Sequence, residues 1–253
     1  MAEGKIDPIG QFEVVRVAEL SLFGVDISLT NAALFMMLGA ALIIGFFLLT
    51  TQKTALVPSR VQSMGEMSYE FVANMIRSTA GEEGLKFFPF VFTLFFFIFF
   101  ANLIGMVPYF FTTTSHLVVT ATLAVGVFLL VTLFGIFKNG FGFLKLFAPS
   151  GVPLPIYPIL IPIEVISYFA RPVTLSMRLF ANMLAGHIML KLLVAFAAAM
   201  LTAGAGVAIL APLPFLLAIA ITALEFLVAF LQAYVFAILT CVYLSDALHP
   251  GHH

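Results

Sequence analysis

Charged residues are absent from long stretches of this chain, and the lengths of those stretches predict its elements. From Ser28 to Thr51 no charged side chain occurs, which is enough residues to cross a bilayer as a helix, so a first span is predicted at 29–51. A longer uncharged run extends from Phe87 to Phe137. Pro108 and the stretch FFTTTSH divide it into spans of about 87–110 and 116–137, an antiparallel hairpin. The segment 58–80 has a different pattern. Val61, Met64, Phe71, Val72 and Met75 form one apolar face, Glu66, Glu70, Asn74 and Arg77 take the other, and Ser59 with Gln62 is spaced as a capping box. This predicts an amphipathic helix at the membrane surface, ending near Gly81. A helix packed on a soluble partner would show the same pattern.

The last third reads as two long helices, spanning 156–246 together. The Pro/Gly-rich piece APSGVPLPIYPILIP, from Ala148 to Pro162, predicts an irregular linker. After it, 163–201 would make about 58 Å of helix and 212–244 about 50 Å, against a hydrocarbon thickness of about 30 Å. A rod of about 50 Å fits that thickness only at a tilt of about 53°, beyond the usual range. The pair is therefore expected as a strongly tilted hairpin, turning at Gly204–Gly206.

Composition settles the class. Of 253 residues, 62% are hydrophobic and 9% charged, which excludes soluble domains and predicts a single all-α integral membrane domain. About five membrane-embedded helices plus one interfacial helix are expected. A net charge of −1 leaves no basic surface for nucleic acid. Cys241 is the only cysteine, so it reads as a small core residue, and neither a metal nor a cofactor is expected. Residues 1–28 are acidic, with no basic stretch ahead of the first span, and read as an external tail without a signal peptide. Lys53, Arg60, Arg77 and Lys86 follow the first span, and Lys138 and Lys145 follow the hairpin. Basic loops stay inside, which predicts an external N-terminus and a cytoplasmic C-terminus.

The candidate chemistry lies in EVISYFARPVTLSMRLFANMLAGH, from Glu164 to His187. An ionisable group at membrane depth costs roughly 3 kcal/mol or more and almost always faces protein or water. At 100° per residue, Glu164, Ser167, Arg171, Thr174, Arg178 and Asn182 fall within about 40° of one line. His187, nine residues after Arg178, points about half a turn away. This suggests two wet approaches with the fixed charge of Arg178 between them. On the second long helix Glu225 and Gln232, seven residues apart, share a face. Setting Gln232 opposite Arg178 centres the hairpin on residue 205 and brings His187 within two residues of Glu225, as a relay pair. The half-turn offset of His187 then calls for a distortion near Gly186 or a bridging water. Asn102 reads as interhelical glue or a pathway residue, and His116 as an outer interface residue of the same pathway.

These residues carry a resemblance. SMRLFANMLAGH, RPVTLSMRLFANM, LEFLVAFLQAYVFAILTCVYLSDA and NLIGMVP resemble subunit a of the F-type ATP synthases over about residues 30–246. The resemblance implies a membrane stator beside a rotating c-ring, held by b-type peripheral-stalk subunits in a bacterial inner membrane. It would carry protons through two offset half-channels and leave ATP chemistry to other subunits. It implies that Arg178 is the essential arginine, Asn182 and Gln232 its polar neighbours, and Glu164 and Ser167 the cytoplasmic-side lining. Many bacterial members place an acid at 187 and a histidine at 225, so that pair is exchanged here, and Gly105 replaces an acidic residue of some relatives. A stand-alone proton-coupled carrier is the competing class, and no inverted repeat supports it.

Overall fold

Thr30 opens the first helix, its hydroxyl accepting from the Ala33 amide at 3.3 Å. In the computed structural model, residues 15–18, 21–22, 25–26, 28–52, 55, 57–107, 110–147 and 154–248 are described. Lys53, Pro108, the first part of the expected linker (148–153) and the C-terminal HPGHH lie outside them. The helices are α1 (Asn31–Thr51), α2 (Arg60–Gly84), α3 (Phe88–Gly105), α4 (Leu117–Asn139), α5 (Tyr157–Thr202), α6 (Ala205–Ala208) and α7 (Pro212–Leu248). Five helical stretches are long and apolar enough to span a membrane, as the charge-free runs predict. In the N-terminal tail the described residues form short antiparallel pairs, Arg16–Ala18 with Leu29–Thr30 and Ser21–Leu22 with Val25–Asp26.

The surface helix α2 begins at Ser59, whose hydroxyl accepts from the Gln62 amide at 3.3 Å. It starts against the end of α1, where a Cβ on Gly65 would stand 2.7 Å from the Thr50 Cβ. Regular helix stops at Gly81, whose φ of 71° breaks the run before a last turn to Gly84. The helix finishes beside α4, where the Lys138 ammonium donates to Glu83 at 2.7 Å. Its buried face is Val72, Ala73, Met75, Ile76 and Ala80. Val61 and Met64 of the expected apolar face remain exposed, and Phe71, also partly exposed, packs its ring against Phe95, Phe230 and Tyr234.

Two boundaries differ from expectation. The span beginning at Phe88 ends at Gly105, not near 110, because the following loop folds back on it. The Thr112 hydroxyl donates to the Gly105 carbonyl at 3.2 Å, and a Cβ on residue 105 would stand 2.6 Å from Thr112 Cγ2. The space beside Gly105 is thus filled by a threonine from the next turn. The helix expected from 163 begins instead at Tyr157. Pro158 sits in its first turn, where proline costs nothing, and Pro162 and Pro172 are carried inside the helix.

The resulting α5 has 46 residues, about 69 Å at 1.5 Å each, and the 37 residues of α7 make about 55 Å. Gly204, at φ 113°, and the single turn α6 join them. Helix α7 is the centre of the molecule, packing against α2, α3, α4 and α5. Ala229, Ala233, Phe236, Ala237 and Cys241 are all 0% exposed. The alanines let neighbouring backbones approach closely, which is how helices associate where lipid removes the hydrophobic drive.

Candidate functional site

Arg178 lies on α5 and is exposed at the surface of the chain. Among the described residues no hydrogen bond or ion pair reaches its guanidinium. One turn further along the same face, the Asn182 amide donates to Gln232 Oε1 at 3.0 Å. Gln232 is 3% exposed, so this bond ties the surface stripe to the interior. The expected register placed Gln232 opposite Arg178 itself. The structure sets it opposite Asn182, because the link through Gly204 and α6 is wider than a simple turn and moves the centre of the hairpin to about residue 207.

His187 and Glu225 are brought together. His187 Nδ1 stands 3.7 Å from Glu225 Oε2, with side chains 8% and 12% exposed. That separation is longer than a hydrogen bond, and neither carboxylate oxygen has a hydrogen-bond partner among the described residues. A buried carboxyl left so poorly satisfied is costly, and at membrane depth such groups mark ion pathways. The pair approaches on α5 and α7 at the position where the sequence calls for a distortion near Gly186 or a bridging water. A Cβ on Gly186 would collide with Glu225 Oε1 and stand 3.0 Å from its Cδ. The bare backbone of Gly186 is therefore the slot into which the carboxylate fits.

This gives a direct test. In Gly186→Ala the Glu225 side chain must swing aside, a small change for folding because its far end is flexible. If the pair is the relay that the sequence predicts, assembly is expected to be normal while proton transfer through it slows at least about tenfold, as misplaced reacting groups do. Transfer at the wild-type rate would remove the His187–Glu225 contact from that role.

The other candidates are dispersed. Asn102 is 0% exposed and its amide donates to the Ala229 carbonyl at 3.2 Å, linking α3 to α7 one turn from Glu225. His116 stands at the start of α4, stacked on Phe111 with ring centroids 4.8 Å apart. The buried turn Thr113–Ser115 before it packs against α5. Glu164 is half-buried and Ser167 exposed, both on α5 beyond Arg171 from Arg178.

One residue of this region has no counterpart in the sequence reading. Asp246, 8% exposed, accepts from Arg171 Nη1 at 2.8 Å. It lies two heptads beyond Gln232 and three beyond Glu225, so the seven-residue spacing that pairs those two would also have reached it.

Residues 33–245 match the family described as ATP synthase A chain. ATP synthase subunit a of Hyphomonas neptunium is 65% identical over 248 residues, covering 98% of each chain. The protein of that name from Mesorhizobium japonicum is 54% identical over the whole of both chains, and that from Maricaulis maris is 56% identical over 97% of this chain and 98% of its own.

This chain belongs to the ATP synthase A chain family.

In this member of the family the arrangement has two parts along α5, both against α7. One is an exposed guanidinium beside the Asn182–Gln232 bond. The other is a buried imidazole and carboxylate on the side of Gly186. The first can meet a group carried by another molecule, and the second can hold and hand on a proton.

Proposed function

We propose that this chain is the proton-translocating stator of a bacterial F-type ATP synthase, with two offset half-channels separated by Arg178 at the face of a rotor ring. The observation that carries this reading is the exposure of Arg178. An arginine in the middle of an apolar helix, with no ion pair from its own chain among the described residues, needs an anionic partner from elsewhere. A rotor carboxylate entering the hydrocarbon beside α5 supplies one.

Protons from outside reach Glu225 and His187 and pass to the rotor carboxylate. After the ring turns they leave on the cytoplasmic side past Glu164 and Ser167. Asn182 and Gln232 hold the polar ground next to Arg178. Asn102 steadies α7 near Glu225, and His116 stands toward the outer side. Each charge moved is driven by about 2.3 kcal/mol per 100 mV of membrane potential. The guanidinium attracts the deprotonated rotor carboxylate and repels a free proton, so it closes the direct path between the two approaches. ATP chemistry belongs to the other subunits.

The basic residues Arg60 and Arg77 of α2, Lys86 just after it and Lys138 at the end of α4 favour a cytoplasmic position for that side of the chain, with the N-terminus outside and the C-terminus inside. The strong tilt of α5 and α7 follows from their lengths, and docking of b-type stalk subunits from the family. Purified gently from membranes, the chain is expected to bring with it an oligomeric ring and a soluble ATPase. If it were isolated alone and transported protons in liposomes by itself, the stand-alone carrier would be the better reading.

A further inference from the structure

Arg171 precedes Arg178 by seven residues, so both side chains leave the same face of α5, about 10 Å apart along its axis. Their surroundings differ. Arg178 is exposed, whereas the Arg171 guanidinium is turned onto α7, its Nη1 donating to Asp246 Oδ2 at 2.8 Å. Its Cζ lies 5.3 Å from the centroid of the Tyr168 ring and 4.9 Å from that of Tyr243. Tyr168 is itself fixed, its hydroxyl 2.6 Å from that of Thr132 on α4. The second arginine is thus neutralised by one carboxylate and covered by two aromatic faces.

A buried ion pair is poor evidence of stability, since apolar side chains of the same volume hold helices as well or better. The cluster does have a mechanical use. Pro172 has no amide hydrogen, so α5 lacks the bond that would reach the Tyr168 carbonyl, and the Arg171–Asp246 link ties the helix to α7 at that weak point. A guanidinium is tolerable there only while its charge is hidden, because a second free arginine would offer a passing carboxylate a competing site.

We propose that Asp246 masks Arg171, so that Arg178 is the single unmasked arginine the rotor carboxylate meets along α5. The proposal rests on the reading of Arg178 given above. Asp246 acts through Arg171 and touches neither the proton nor the rotor; it is a positioning residue.

The test uses the complete synthase in inverted membrane vesicles, reading proton pumping and ATP hydrolysis together, normalised to assembled complex. In Asp246→Asn the released guanidinium should hold the rotor carboxylate. Pumping and hydrolysis then fall together, by about tenfold for each 1.4 kcal/mol of added attraction, and hydrolysis recovers when detergent frees the soluble ATPase. Arg171→Gln with Asp246→Asn should restore both activities to at least half of wild type, because one exposed arginine again remains.

A defect of packing alone gives another pattern, in which pumping falls while hydrolysis continues uncoupled. That result overturns the proposal. So does a double variant no better than Asp246→Asn, an Asp246→Asn enzyme that works normally, or one that never assembles. Arg178→Ala is run alongside: pumping that survived it would overturn the rotor-facing role of Arg178 itself, whatever position 246 shows.

Discussion

Alanine at position 178 is expected to abolish ATP-driven proton pumping and ATP synthesis while leaving the membrane permeable to protons. The fold should not suffer. Arg178 is exposed and has no ion pair among the described residues, so its removal strands no buried partner, the usual cause of large losses of stability. Its proposed work is done at the rotor face. Without the guanidinium nothing draws the deprotonated carboxylate past the stator, and nothing separates the wet approach at His187 and Glu225 from that at Glu164 and Ser167. Lysine should fail as well, because an ammonium is a compact point charge and cannot spread donors over both carboxylate oxygens as the planar fork does. The measurement is pumping by inverted vesicles together with passive proton conduction after the soluble ATPase is stripped away. An Arg178→Ala enzyme that still pumped, or a stripped membrane that stayed tight, would rule out the separator role.

The helices were legible because lipid imposes a simple condition, that charge be absent over a sufficient length. Where prediction slipped, a local contact had overridden a general rule. Proline normally marks a loop, yet α5 starts at Tyr157 because Pro158 falls in a first turn and the rest of the helix carries Pro162 along. The end of α3 was set by the fit of Thr112 over Gly105, a contact between residues seven apart that periodicity does not register. Seven-residue spacing found Glu225 with Gln232 and could have found Asp246. It could not show that Tyr168 and Tyr243 would close over Arg171, since that depends on how α5 and α7 cross. The register of the hairpin was set about one turn wrong for Gln232 because α6 widens the link. The pairing of His187 with Glu225 survived the shift, since the two were expected only to within two residues.

Gly186 explains how these two long helices bring a histidine and a glutamate together. Any side chain at 186 would occupy the space of the Glu225 carboxylate.

That gives the second large effect. Glu at 187 or His at 225, introduced singly, is expected to slow ATP-driven pumping severely, because two carboxyls or two imidazoles would then face each other in a site nearly closed to water. Like charges that close cannot both ionise, so one member of each such pair is held in its neutral form and leaves the relay. His187→Glu combined with Glu225→His restores one imidazole and one carboxyl in mutual reach, the arrangement the resemblance places in many bacterial relatives. The double exchange should recover much of the pumping lost by either single one. The geometry is not symmetrical: Gly186 accommodates the carboxylate that comes from α7, and an imidazole from α7 is wider. Recovery is therefore expected to be partial, with the remaining loss reflecting the fit at Gly186. Pumping rates of inverted vesicles, normalised to assembled complex, decide it. A double exchange no better than the worse single would mean that His187 and Glu225 do not share a proton, and that their approach to 3.7 Å is packing alone.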